Sequence, residues 1–401
     1  MGQPLKKKES RRNSISDIKA KMGFSTTQAN TRTSNADKKM EWLIMPKAYQ
    51  DALKLPGIPL SYVTTVVGHS NTGKSTIVNH AIVAAQKQGL IPVIYDTENN
   101  FDFSYAMDMG MEATPVYGDI TEEITDPNTG EVRIETHNGI VNYEGNFIYF
   151  NSAILAEMYG KRDYSTGKEA SKTRKIAVIE DIAYSINELL DMQDNGDISN
   201  GFVFIWDSVG SISCWKSYNS KSGNAMWDAA AISVAFQTIL NNRIPSSRKV
   251  TAKYSNTFIA INKVWLDNTT NPVGPPSLQL KGGNAIYYAS RLILLLGGQL
   301  KASIKKMNAV TKGATYTYAN QSKIKVLKNQ LPSPYTITYE GDIVCTPHGM
   351  IAADKEAVEE YRSQYIGDIL KRLNEIAEEN NSGQVIQESD ISFEETEEPE
   401  A

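Results

Sequence analysis

Eight consecutive residues, Gly68-His69-Ser70-Asn71-Thr72-Gly73-Lys74-Ser75, match the pattern G-x-x-x-x-G-K-[ST]. Glycines in that pattern let the backbone curl, so that successive N–H groups at a helix N-terminus point into one concavity that suits a phosphate chain. Lys74 is then placed to hold the β- and γ-phosphates and the Ser75 hydroxyl to ligate Mg2+, with the neighbouring Thr76 counted among the nucleotide contacts. A second segment, Phe202-Val203-Phe204-Ile205-Trp206, is hydrophobic throughout and ends in Asp207, where a carboxylate can join the metal's water shell or, more simply, cap the next helix. Hydrolysis also needs a group that orients and deprotonates water. The run Ile91 to Tyr95 ends in Asp96-Thr97-Glu98, which makes Glu98 the candidate base and Asp96 its competitor.

These side chains have to be positioned by a sheet. Tyr62 to Val67 is β-branched and aromatic, Lys74 to Gln88 has helical character stopped by Gly89, and Ile91 to Tyr95 is again a buried-strand run. That is a βαβ unit, and it predicts an α/β fold with a mostly parallel central sheet flanked by helices. Phe202 to Trp206, Thr257 to Ile261, Arg291 to Leu296 and Lys323 to Lys328 are the further strands, with helices expected over Ile176 to Leu190 and Ala225 to Asn241. An insertion, roughly Glu112 to Lys175, separates the second core strand from the third. Its strand-like centre is broken by Asp126-Pro127-Asn128-Thr129-Gly130 and His137-Asn138-Gly139, which is turn chemistry and predicts a β-hairpin or meander. It ends in a basic stretch from Tyr159 to Lys175, read either as an exposed charged linker or as a contact for duplex DNA or a partner.

The 401 residues carry a formal charge of -5 at a mean hydropathy of -0.37, which fits a globular chain. The charge is unevenly spread. Residues 1–40 hold ten bases against three acids, and residues 373–401 hold ten acids and no base. A basic, mostly disordered arm over 1–40, with one short helix at Ser14 to Met22 and a possible subunit-docking role, precedes a core over 41–350. C-terminal helices over 351–380 and an acidic disordered tail over 381–401 complete the expected organisation. The longest apolar runs are too short to span a bilayer, and two separated cysteines with four scattered histidines give no zinc spacing. A reducing cytoplasm and no membrane partner are the expectation.

With these residues in place, the sequence resembles the RecA recombinase family, including its phage UvsX-like members. Gly89 to Asp102 is similar to the family's second strand, whose catalytic glutamate falls on Glu98. Phe204 to Ile212 resembles the metal-binding strand, and Phe258 to Asn262 the strand leading into the second DNA-binding loop. Gly282-Gly283-Asn284-Ala285 resembles the glycine-pair segment closing that loop, and Lys325-Val326-Leu327-Lys328-Asn329 the segment that reaches a neighbour's ATP. The resemblance implies a RecA-like P-loop NTPase core and ATP with Mg2+ bound between subunits of a helical filament. Lys74, Ser75, Asp207 and Glu98 come from one subunit, and Lys328, with Lys325, from the next. It implies a DNA-stimulated ATPase that acts on single-stranded DNA, takes duplex DNA as second substrate, and works with a single-strand-binding protein or loader.

Two polar, basic segments follow core strands and would hold that strand. Loop one, Ser213 to Asn224, offers Trp215, Lys216, Tyr218 and Lys221; loop two, Lys263 to Gly283, offers Lys263, Trp265, Lys281, Gly282 and Gly283, with Asn284 next to it. Lysines neutralise phosphates and aromatic faces stack on bases without reading sequence, although either tryptophan could instead anchor its loop. Lys263 stands where the cellular proteins carry Gln and Gln330 where they carry a second base, which points toward a phage or mobile-element branch. A RecA-fold hexameric helicase and a non-hydrolysing nucleotide-binding scaffold are the rival readings.

Overall fold

In the computed structural model the described residues are 36–125, 132–220, 225–267, 277–280, 284–298, 304–380 and 385–397. The helix expected at Ser14 to Met22 lies outside them. β1 (Trp42–Ile44), α1 (Lys47–Leu53) and β2 (Gly57–Pro59) lead into β3 (Val63–Gly68), α2 (Lys74–Lys87) and β4 (Ile91–Asp96). Next come α3 (Phe103–Asp108), β5 (Thr114–Thr125), β6 (Val132–Glu144), β7 (Ile148–Asn151), α4 (Ser152–Tyr159) and α5 (Ile179–Asn195). β8 (Phe202–Val209), α6 (Trp215–Asn219), α7 (Ala225–Ala235), β9 (Thr257–Asp267), β10 (Ser277–Leu280), α8 (Asn284–Ala289) and β11 (Leu292–Leu296) follow. The C-terminal part is β12 (Ile304–Thr311), β13 (Ala314–Asn329), β14 (Glu340–Thr346), β15 (Gly349–Ala352), α9 (Lys355–Gln364), α10 (Ile366–Glu379) and β16 (Ser392–Glu397).

The large sheet runs β15-β14-β13-β11-β3-β9-β8-β4-β7. Its strands from β11 to β7 are mutually parallel, and β13, β14 and β15 add antiparallel strands on one flank. The parallel strands read as unbroken apolar runs because both faces are covered. On one face Ile77, Ala81 and Ile82 of α2 pack on Val66, Leu294 and Ile261; on the other Ile182 and Ile186 of α5 and Ile232 of α7 pack on Phe204, Trp206 and Phe258. Among the described residues no helix is long and apolar enough to cross a membrane.

The chain departs from the sequence expectation in four places. β7 lies in the large sheet beside β4, so the insertion proper is the β5–β6 ribbon and the segment between α4 and α5. α5 starts at Ile179 rather than Ile176, because Val178 is extended (φ -124°, ψ 162°) and its N–H donates to Asp181 Oδ2 at 2.8 Å, which fixes the first turn there. The helix expected to run to Asn241 ends at Ala235 and is followed by a π-turn over Ile239–Arg243 and a short helical turn over Ile244–Ser246, which carries Pro245 in its first positions. The acidic tail is not wholly unstructured: β16 pairs antiparallel with the edge strand β12, from Lys305 opposite Glu397 to Val310 opposite Ser392. The opposite charges of Lys305 and Glu395, which form an ion pair, favour this register, as does Phe393 packed on Tyr318 at 5.7 Å between ring centroids.

Candidate functional site

The carboxyl ends of β3, β9, β8 and β4 lie side by side. The register sets Gly68 opposite Lys263 and Asp96 opposite Asp207, so one row of strand ends collects the phosphate loop and three carboxylates. Open α/β sheets place their ligands at this end.

The loop has the backbone that its glycines allow. Gly73 has φ +95° and Asn71 φ +60°. A Cβ on Gly68 would lie 2.6 Å from Leu296 O, so this position accepts no larger residue without a shift. Gly73 is the N-cap of α2, whose first turn contains no acidic residue to compete with an anion. Lys74 Nζ donates to His69 O across the loop, and burial lowers its pKa to about 8 despite the nearby charge of Asp207. His69 Nε2 is buried and without a hydrogen-bond partner among the described residues, Ser70 and Thr72 lie within the loop, and Ser75 is exposed at its mouth. Thr76 lines the cavity beside the loop and has a structural tie as well. It is buried and its hydroxyl pairs with Tyr105 Oη at 2.7 Å, so it fastens α2 to α3.

Burial, followed by the charges of Glu98 and Asp96, raises Asp207 to about 6. Such a carboxylate suits a cation, and Ser75 and Asp207 offer the hydroxyl and carboxylate oxygens that Mg2+ would take. Among the described residues no group of three or more His, Cys, Asp or Glu side chains is placed to hold a metal ion by itself. Asp96 is committed elsewhere: its carboxylate accepts from Asn100 N at 3.1 Å, Phe101 N at 2.9 Å and Tyr149 Oη at 2.9 Å. Glu98 is the freer of the two. Ser208 Oγ donates to its Oε1 and Lys263 Nζ lies 2.8 Å from its Oε2. Burial pushes the Glu98 carboxyl up, but the hydrogen bonds from Lys263 and Ser208 outweigh it and hold the pKa below the ordinary carboxylate range.

A cavity of about 1000 Å³ opens beside the loop and is lined by Lys74, Ser75, Asp102, Tyr105, Asn320 and His348, among others. Tyr105 and His348 were not singled out from sequence. Asp102, which caps α3 by accepting from Tyr105 N at 3.0 Å, was the available signal.

The DNA-facing candidates separate into distinct groups. Trp215 belongs to the packing around α5: Arg174 lies 5.3 Å from its ring centroid, Tyr164 meets it edge-on at 6.2 Å, and its backbone N–H donates to Glu180 Oε2 at 2.8 Å. Loop one is therefore partly a helix, α6, pinned by its tryptophan. Tyr218 stays 40% exposed, and Lys216 sits 4.4 Å from the ring of Trp227. Lys263 faces Glu98 instead of an open groove. Within loop two the described parts of the backbone, the end of β9 and β10, pair antiparallel, with Trp265 opposite Gln279. Lys221, Lys281, Gly282 and Gly283 lie outside the described residues, as does the side chain of Trp265; Asn284 is exposed at the start of α8. Neither Lys325 nor Lys328 lines the cavity of its own chain. Lys325 pairs with Glu340 at 3.2 Å, and Lys328 Nζ donates to Tyr287 O at 2.7 Å, on the level of Ile293 and Thr65.

Parallel strands, the loop at the end of β3 and its following helix define a phosphate-binding α/β protein with a RecA-like core. Residues 14–154 match the RecA N-terminal domain. Protein RecA of Aquifex aeolicus is 33% identical over 86 residues, 21% of this chain and 23% of that protein. Protein RecA of Chlorobium chlorochromatii is 38% identical over 80 residues (20% and 21%), and that of Treponema pallidum 34% identical over 91 residues (23% and 21%). The likeness to RecA proteins thus rests on residues 14–154, and the matched segments span about a quarter or less of the length of these relatives.

Proposed function

We propose that the chain is an ATP-dependent recombination protein that polymerises on single-stranded DNA, hydrolyses ATP when bound to it, and pairs the strand with homologous duplex DNA. The observation that carries the reading is the row of strand ends holding Lys74, Asp207 and Glu98 together, with Lys263 bridging Glu98 to the strand that runs on into the β9–β10 hairpin. Backbone N–H groups of Gly68 to Ser75 bind the phosphates, Lys74 exchanges His69 O for phosphate oxygens, and Ser75 and Asp207 hold Mg2+ and its water. Bound Mg2+ supplies charge neutralisation on the β- and γ-phosphates. Glu98 orients and deprotonates the attacking water. Lys328 is supplied by the next subunit, which links nucleotide binding to filament order. Exposed Tyr218 and the hairpin after β9 face the single strand, and a single-strand-binding protein or loader prepares it. The setting is the cytoplasm of a bacterial or phage-infected cell.

Electron microscopy of the protein with single-stranded DNA and a slowly hydrolysed ATP analogue tests this. Helical filaments are expected. Discrete rings would favour a hexameric helicase, and ATP binding without turnover a non-hydrolysing scaffold.

A further inference from the structure

The basic stretch between α4 and α5 has a built shape. Arg162 and Glu169 form an isolated β-bridge, Ala170 N donates to Lys161 O at 2.6 Å, and Arg174 N donates to Gly160 O at 2.9 Å. The base of this loop is locked by a buried pair. Arg174 reaches both oxygens of Asp181 at 2.7 and 2.8 Å and also donates to Tyr159 O at 2.9 Å, with side chains 2% and 0% exposed. A solvated linker has no use for a desolvated, bidentate ion pair.

The aromatic groups of the stretch all face inward. Tyr164 Oη donates to Asp181 Oδ1 at 2.8 Å, Tyr159 is buried and donates to Glu188 at 2.7 Å, and the Arg162 guanidinium lies 3.5 Å from the ring centroid of Tyr184. What remains outward is Lys161, Lys168, Lys172 and Lys175, all exposed, opposed within the loop by exposed Glu169 and by Asp163, whose carboxylate is tied to Ser165. Through Tyr164 and Arg174 against Trp215, the same loop is packed on α6.

We propose that residues 160–178 form a ledge that binds the phosphodiester backbone of duplex DNA beside loop one, an inference that rests on the DNA-binding function proposed above. Ammonium groups without a free aromatic face contact phosphates and do not stack on bases, which suits a duplex whose bases are already stacked. Loop one, with exposed Tyr218, keeps the single strand. The single strand and the duplex thus meet neighbouring but chemically different surfaces.

The test replaces Lys161, Lys168, Lys172 and Lys175 with Gln in the full chain and measures binding to labelled duplex and labelled single-stranded oligonucleotide over a salt series. The expected result is a duplex affinity lower by on the order of tenfold at low salt, with the log–log salt slope shallower by about 3. Hydrolysis stimulated by single-stranded DNA should stay within about twofold of the original chain, and a quadruple Lys→Arg variant should keep duplex binding. Unchanged duplex affinity and slope would overturn the ledge, as would equal losses for both forms of DNA. An original chain that binds neither DNA, with no stimulated hydrolysis, would overturn the recombination reading itself and the ledge with it.

Discussion

Glu98 sits between two opposing influences, and its chemistry depends on which prevails. Lys263 and Ser208 stabilise its charged form more than burial disfavours it, so the carboxylate is ionised but weakly basic. Replacing Lys263 with Met removes the larger of those supports. The Glu98 pKa should rise, and the acid limb of the rate–pH profile should then move to higher pH, visible in kcat/KM measured over an acid pH series. Glu98→Gln should lower kcat by about 10²- to 10⁴-fold while nucleotide binding, followed by a fluorescent ATP analogue, is retained. Lys74→Ala should lose binding and turnover together. The phosphate loop was legible in the sequence because its eight residues are contiguous and its demands are local. The contact between Lys263 and Glu98 was not, since 165 positions separate the two and only the alignment of β9 with β3 and β8 brings them together. Asp96 was the competitor of Glu98 in the sequence; its hydrogen bonds to Asn100, Phe101 and Tyr149 distinguish the two.

Helices and strands carry their own titratable couplings. His80 on α2 accepts a hydrogen bond from Met350 N of β15 at 3.0 Å, which requires a neutral imidazole acceptor. Burial, helped by Lys87, lowers its pKa from 6.5 to about 4. The folded value lies below the unfolded one, so the stabilisation is complete above pH 6.5 and is lost as pH falls toward 4. The loss should be on the order of 3 kcal/mol. Urea denaturation of His80→Gln at several pH values should show a flatter dependence across that window. Arg174→Met strands the Asp181 charge in the interior and should destabilise by about 3–5 kcal/mol, with the Arg174→Met, Asp181→Leu double variant recovering part of it. Periodicity identified β3, α2, β4, β8, β9 and β11 because buried parallel strands are continuous apolar runs. It missed β12 and β14, whose polar and apolar residues follow neither a continuous apolar run nor a strict alternation, and β16, whose six exposed residues give a strand no compositional signature.

At the level of the whole molecule, the acidic end of the chain behaves differently from a free tail over its described residues. β16 covers the edge of β12, neutralises Lys305 and accepts a hydrogen bond at Thr396 from Asn308 at 2.9 Å. Removing residues 385–401 should uncover that edge and raise concentration-dependent association, measured by light scattering. It should also strengthen DNA binding at low salt by taking away competing carboxylates. The β5–β6 ribbon, with Tyr117, Val132 and Ile134 all more than half exposed, stands outside the large sheet and has no such cover among the described residues. Lys328 carries a different consequence. Its ammonium group is tied to Tyr287 and lies outside the cavity of its own chain. On the proposed function the completing cation comes from an adjoining copy, so diluting the protein at fixed ATP should depress specific activity well before the fold itself is lost.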